Sequence, residues 1–235
     1  MSCMRLKRTL RLAGLLLLAG VLGLAWKAPA SETPSPPAVL RPSLREVLRG
    51  VENKYNRLKS MKAHFQQMVR QGSGLLRSEQ GQLYLSKPGR MRWEYESPEP
   101  KLFVTDGKSA VLFLPAENRV MQSAIKETDD IKAPLAFLLG RLNFDEQFQK
   151  LETSPQLAPL EQGNIVFKAY SKKLADRLEW VVFEVTPAYE IRRVVAREQG
   201  GLETEFRFNR VEANPALADS IFRFTPPAGA EVVRE

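Results

Sequence analysis

The sequence predicts a mainly β protein with α elements, an α+β fold built on one strongly curved antiparallel sheet or incomplete barrel. Three observations carry this. From residue 60 onward apolar side chains recur with period two in a dozen short segments, the pattern of strands with one buried face. Turn-forming residues separate several of these segments. Ahead of them lies one amphipathic helix, whose apolar stripe has to cover something. So many evenly spaced antiparallel strands close into a barrel or curve strongly.

The first 30 residues stand apart from the fold. Arg5, Lys7, Arg8 and Arg11 form a basic start, and Ala13 to Trp26 is an apolar run of 14 residues. That run falls short of the roughly 20 residues a membrane-spanning helix needs. Ala28-Pro29-Ala30 supplies the small-x-small pattern of a cleavage site. Residues 1–30 therefore read as a secretory signal peptide. Removing it takes Cys3, the sole cysteine, and five of the 35 basic residues (Arg5, Lys7, Arg8, Arg11, Lys27), leaving 30 against 27 acidic ones. A mature chain of 205 residues then has no disulfide, no thiolate metal site and no cysteine nucleophile. Its balance of +3 is too even for the concentrated basic footprint of a nucleic-acid binder.

Residues 31–42, "SETPSPPAVLRP", carry four prolines and read as a tether, since proline supports neither helix interior nor central strand. The globular domain is expected over 43–235. Ser43 with Glu46 three residues on forms a capping box. Leu44, Val47, Leu48, Val51, Tyr55 and Leu58 then make one apolar stripe over about four turns, with Arg45, Arg49, Glu52, Lys54 and Arg57 mostly elsewhere.

Strands are expected at 62–70, 74–77, 81–86, 90–96, 101–105, 110–114 and 119–123, and after a break at 164–170, 177–185, 190–197, 203–211 and 221–224. Pro88-Gly89, Asp106-Gly107, "PAEN" at 115–118 and Gly200-Gly201 break them, the Gly-containing pairs by accepting positive φ at tight turns. Residues 127–141, "ETDDIKAPLAFLLGR", read as two short helices split at Pro134. Thr128 caps the first, Asp129 and Asp130 suit its positive end, and Gly140 closes the second. The piece from Pro134 to Leu139 is apolar all round, so it is buried or covers an apolar opening. Phe144, Phe148 and Leu151 at i, i+4 and i+7 suggest a further helical turn or two over 143–151.

Enzymatic chemistry finds little support. His64 is the only histidine, and no nucleophile-elbow motif accompanies it. Glu127, Asp129 and Asp130 lack the glycine-centred loop of a hard-cation site and suit a helix start better. Neither GxGxxG nor GxxxxGK[ST] occurs. The expectation is a non-enzymatic protein without cofactor or metal. What remains is bulk: Met91, Trp93, Tyr95, Phe103, Phe113, Phe167, Trp180, Phe183, Phe206, Phe208, Phe222 and Phe224 all fall in strand segments. Periodicity alone leaves open whether these fill an ordinary core or line a cavity.

Five blocks, in order, resemble the periplasmic outer-membrane lipoprotein carrier family (LolA-type). They are Ala63-x-Phe65-x-Gln67, "GQLYLSKPGRMRWEY" (81–95), "VTDGKSAVLFLP" (104–115), "PLAFLLGR" (134–141) and "FRFTPPAGAEV" (222–232). The resemblance spans most of residues 43–232. It implies an incomplete antiparallel barrel whose concave face is closed by the N-terminal helix and lid helices. It implies a monomeric periplasmic carrier that takes acylated lipoproteins from an inner-membrane lipoprotein-releasing ABC transporter to an outer-membrane receptor. The acyl-chain cavity would then be lined by Met91, Trp93, Tyr95, Phe103, Phe113, Leu135, Phe137, Leu138, Phe167, Trp180, Phe206 and Phe208. In the family a basic residue just before the proline of the "KPG" block holds the lid-helix carbonyls. Here that position is Lys87, where the well-known members have arginine, with Arg90 or Arg92 as further contributors. A free-lipid carrier and a lipid- or lipoprotein-sensing module of the same fold are the alternative readings.

Overall fold

The computed structural model describes residues 42–124, 141–153 and 157–234. Contacts divide the chain into Met1–Leu40 and Arg41–Glu235, and all described residues belong to the second unit. Its first element is helix α1, Leu44–Arg57. The expected capping box is formed: Ser43 Oγ accepts from Glu46 N–H at 3.3 Å, and the Glu46 carboxylate accepts from Ser43 N–H at 2.7 Å. Val47, Leu48, Val51 and Tyr55 are buried. Gly50 sits in mid-helix for a steric reason. A Cβ there would lie 2.4 Å from the ring of Tyr189.

Among the described residues, twelve strands follow in one sheet. They are β1 (Ser60–Gln71), β2 (Gly74–Ser86), β3 (Arg90–Ser97), β4 (Lys101–Thr105), β5 (Ser109–Leu114), β6 (Arg119–Ala124), β7 (Phe148–Thr153), β8 (Ile165–Ser171), β9 (Leu178–Val185), β10 (Ile191–Glu198), β11 (Leu202–Ala213) and β12 (Glu231–Arg234). The spatial order is β12-β6-β5-β4-β3-β2-β1-β11-β10-β9-β8-β7. Neighbours are antiparallel except β12, which runs parallel to β6. The long β1–β11 pairing joins the two halves, Phe65 facing Phe208 and Gln67 facing Phe206. The sheet is curved and unclosed, with β12 and β7 as its edges.

Turn residues act as their chemistry requires. Asp106 Oδ1 accepts from the N–H groups of Lys108 and Ser109, both at 2.8 Å, and so builds the β4–β5 turn. Gly200 and Gly201 both take positive φ, 101° and 86°, between β10 and β11.

The structure corrects several boundaries. Segments 74–77 and 81–86 are one strand, β2, because the polar stretch between them, Ser78 to Gln80, keeps pairing with Gln66 to Met68 of β1 rather than turning. Residues 143–151 are helical only at Phe144–Gln147 (α2) and then extend as β7. The i, i+4 phenylalanines are met by a short helix feeding a strand. Residues 221–224 are not a strand, since a 3-10 turn spans Asp219–Phe222 and the last strand comes later, at Glu231–Arg234. Phe222 is buried by packing, not by pairing. The helices expected within 127–140 lie outside the described residues.

Candidate functional site

Alternation along β3 sorts its side chains as the sequence demands. Met91, Trp93 and Tyr95 join one core cluster, which also holds Val47, Leu48, Val51 and Tyr55 of α1, Phe65 of β1, Phe103 of β4, Phe167 of β8, Phe183 of β9 and Phe206 and Phe208 of β11. This is the inner face of the sheet, and the apolar stripe of α1 packs into it.

Two aromatic nests make up its centre. In the first, Phe65 meets Trp93 edge-on at 4.5 Å and Tyr95 at 5.0 Å, while Trp93 lies 5.5 Å from Phe206. In the second, Phe167 stacks on Phe183 at 5.2 Å, and Phe144 meets both edge-on at 5.5 Å. Edge-to-face and offset contacts of this kind are the favoured aromatic geometries. Trp93 is fully buried, and its indole N–H points to Met91 Sδ.

Polar groups mark the ends of the inner face. At one end the Tyr95 hydroxyl donates to Gln67 Oε1 at 2.9 Å, and Lys101, paired with Glu79, lies 4.3 Å from the Tyr95 ring centroid. Burial, foremost, pushes the Tyr95 phenol pKa up. At the other end the Tyr55 hydroxyl accepts from Ile191 N–H at 2.9 Å, and burial raises its pKa as well. Lys87 Nζ donates to the Tyr55 carbonyl at 2.9 Å, in the last turn of α1, where the helix dipole favours a cation. Desolvation lowers the Lys87 pKa.

The expected cavity residues thus fall into three groups. Met91, Trp93, Tyr95, Phe103, Phe167, Phe206 and Phe208 are brought together on the inner face. Leu135, Phe137 and Leu138 lie outside the described residues. Phe113 and Trp180 are on the outer face. Phe113 pairs with Val120 across the ladder and packs on Phe224 at 5.3 Å. Trp180 is covered by Lys168 and Arg197, at 4.9 and 5.9 Å. Bulk singles out both residues, and bulk does not report strand phase.

The expected latch is likewise divided. Lys87 holds α1. Arg90 and Arg92 alternate with the inner residues and so face outward. Arg90 pairs with Asp219 and lies 5.3 Å from the Phe222 ring, and Arg92 donates to the Ile221 carbonyl at 2.9 Å. They fasten the 219–222 turn to the outer face, where Phe222, Val104 and Val120 are also buried. A cleft of about 320 Å³ beside this turn is lined by Tyr84, Arg92, Glu94, Ser220 and Ile221. The Arg92–Glu94 ion pair in its lining, at 2.6 Å, does not suit hydrocarbon.

The expected cavity set left out Phe65, Phe144, Phe148 and Phe183, which join the same inner-face cluster as the expected apolar stripe of α1. The phase of β1, with Ala63, Phe65 and Gln67 on one side, was the available signal for the first.

An open curved sheet with an aromatic inner face, on which the amphipathic helix α1 packs, defines a class of protein organised around apolar packing. The sequence profile of the family described as outer membrane lipoprotein carrier protein LolA matches residues 56–225, and the chain belongs to that family. The outer-membrane lipoprotein carrier protein of Methylobacillus flagellatus is 30% identical over 181 residues, covering 75% of this chain and 83% of that one. Its counterpart in Dechloromonas aromatica is 28% identical over 180 residues, covering 75% and 82%. A crystal structure of an uncharacterized conserved protein from Thermus thermophilus shares the fold, with a TM-score of 0.51, 17% identity and coverage of 81% of this chain and 98% of that one.

Proposed function

We propose that this chain is a periplasmic, non-enzymatic carrier of lipoproteins. It takes their acyl chains against the inner face of the sheet and delivers them to the outer membrane. In this reading residues 1–30 direct export and are removed. An inner-membrane ABC transporter supplies the cargo, an outer-membrane receptor accepts it, and the carrier works as a monomer without cofactor. Met91, Trp93, Tyr95, Phe103, Phe167, Phe206 and Phe208 form the acyl-binding face. Lys87 is the latch, acting through α1.

The observation that carries the reading is the cover on the inner face. Among the described residues, the aromatic nests are covered by the 14-residue helix α1, whose far end is tied by a few polar bonds, among them those from Lys87 and to Asn56. Apolar contact is non-directional, so methylene chains can replace the helix's own apolar stripe, and the directed bonds broken are those of its polar ties and of the Tyr55 hydroxyl with Ile191 N–H. Each buried CH₂ contributes about 0.8 kcal/mol, and one long chain therefore roughly 10 kcal/mol. That is enough to solubilise a lipoprotein, and the displaced helix packing offsets part of it so that release stays possible. Met91 and the aromatic rings can repack around chains of different shape.

The test is release of lipoproteins from spheroplasts. Adding the mature protein should bring acylated proteins into the soluble fraction in stoichiometric complexes, visible by native mass spectrometry. Spheroplasts that yield no soluble lipoprotein, or complexes holding only free lipid, would overturn the proposal.

A further inference from the structure

We propose that the tip of the β1–β2 hairpin is a membrane-contact device, in which Leu75 and Leu76 enter the boundary between lipid headgroups and acyl chains while Arg77 stays at the phosphate level. Leu75 is 56% and Leu76 63% exposed, the two highest values for large apolar side chains among the described residues. Neither belongs to the core cluster. Every residue from Gln71 to Ser78 is exposed, and burial resumes only at Glu79. At about 3.3 Å per residue, Leu76 stands roughly 10 Å beyond that point. An interfacial element lies about 5–10 Å deep, so the tip can reach this depth without the body touching lipid.

The local backbone puts the leucines there. Arg70 faces Leu75 and Val69 faces Arg77, so Leu76 is the extra residue of a bulge. A bulge breaks the alternation that would otherwise send one of the two back toward the sheet. Gly72, Ser73 and Gly74 close the turn with little side-chain bulk, and a Cβ on Gly72 would meet nothing within 4 Å. Polar residues would serve such a turn equally well, so folding does not require leucine at either position.

The shape selects lipid over a protein partner. Two side chains on a convex tip cover far less than the roughly 800 Å² per partner of a standard protein interface. A fluid bilayer, by contrast, wraps a tip from all sides. The charges agree. The Arg77 side chain is 54% exposed while that of its partner Glu79 is 7% exposed, and the Arg70–Glu205 pair shows 32% against 11%. Cations face outward and their anions lie inside, the arrangement that lets long basic side chains reach phosphate while apolar neighbours sit deeper.

The inference stands apart from cargo binding, since it needs no acyl chain inside the sheet. It is tested by co-sedimentation with protein-free vesicles of phosphatidylethanolamine and phosphatidylglycerol. The wild type should pellet weakly and reversibly. The double variant Leu75→Ser/Leu76→Ser should lose roughly tenfold or more of that association. Leu160→Ser, a change at an exposed leucine elsewhere on the surface, should lose none. An environment-sensitive dye on Leu75→Cys, the only thiol once Cys3 is removed, should shift to the blue on adding vesicles. Circular dichroism and lipoprotein release from spheroplasts check that the serine variant is folded and still loads cargo. Equal pelleting of wild type and serine variant, absence of pelleting by the wild type, or a dye shift that requires a membrane protein in the vesicle would each overturn the inference.

Discussion

Asn56 and Leu142 are joined by a reciprocal pair of bonds: Asn56 Nδ2 donates to the Leu142 carbonyl at 2.8 Å, and Leu142 N–H donates to Asn56 Oδ1 at 2.7 Å. One turn earlier on α1, Glu52 Oε1 accepts from Phe144 N–H at 2.7 Å. The polar side of the helix therefore does a backbone's work. It satisfies groups of a chain segment that has no ladder partner, while the apolar side seals the sheet.

Replacing Asn56 by leucine keeps the γ-branched shape and removes both bonds. Leu142 is 1% exposed, so water cannot easily replace them. Each buried group left unpaired costs about 1–3 kcal/mol. The expected result is a lower urea midpoint with an unchanged slope. An unchanged midpoint would mean that 141–144 is held by Phe144 packing alone.

Gly50→Ala should destabilise, against helix propensity. Propensity alone favours alanine by about 0.8–1 kcal/mol. The added Cβ, however, would lie 2.4–2.5 Å from three ring atoms of Tyr189, and relieving such overpacking costs about 1–3 kcal/mol. Thermal unfolding should show a lower Tm for Gly50→Ala, restored in part by adding Tyr189→Ala. A raised Tm in the single variant would show that the ring moves aside freely.

Much of this architecture is readable from the residues. The Ser43/Glu46 box, the α1 stripe, the β3 alternation and the Gly200-Gly201 turn are local devices, and local devices are written in adjacent residues. What escaped depends on partners far apart in the chain. Phe113 and Trp180 look like core residues until the ladder fixes their phase and shows Phe224 on one and Lys168 and Arg197 on the other. Arg90 and Arg92 look like latch residues until the 219–222 turn is found beneath them. Phe148 satisfies a helical spacing and is in fact the first residue of an edge strand. Strand β12 pairs in parallel with β6, a crossover that no local pattern encodes.

Stability should fall as pH rises above about 10, the ordinary tyrosine pKa. Burial raises the pKa values of Tyr55 and Tyr95 in the folded protein. Above pH 10 the unfolded chain releases protons that the folded one keeps, so the unfolding free energy decreases with pH. Lys87, lowered by burial, acts with the opposite sign just below the ordinary lysine value. The Tyr55→Phe variant isolates the tyrosine effect. It should be less stable than wild type at neutral pH, because Ile191 N–H loses its acceptor, and its stability should fall less steeply between pH 10 and 12. Parallel curves for the two proteins would refute the assignment.

Lys87→Leu should leave the fold intact and alter cargo handling. The bond to the Tyr55 carbonyl is one charge at a helix C-terminus, worth about 0.3–1 kcal/mol, a small part of total stability. Under the carrier reading that same increment governs how readily α1 yields the inner face to acyl chains. Loss of Lys87 should change the rate at which lipoprotein leaves the complex by a few-fold, and Lys87→Arg should stay near wild type because the donor is kept. Retention and release equal to wild type in the leucine variant would remove Lys87 from the mechanism.

Trp93 and Trp180, the two tryptophans after residue 30, give a direct readout of which face meets hydrocarbon. Trp93 lies in the inner nest against Phe65 and Phe206, and Trp180 lies outside between cationic side chains. Short-range quenching by a brominated acyl chain requires near contact, so a chain admitted to the inner face should quench Trp93 and spare Trp180. In the Trp180→Phe variant, fluorescence should fall strongly on adding a brominated lipopeptide. In Trp93→Phe it should hardly change. Trp180→Phe is also expected to cost little stability, since that ring is only partly buried, whereas emptying the Trp93 site with alanine should cost about 3–5 kcal/mol. Quenching of Trp180 alone would move the binding face to the outside of the sheet, and with it the roles argued for Met91, Tyr95 and Phe206.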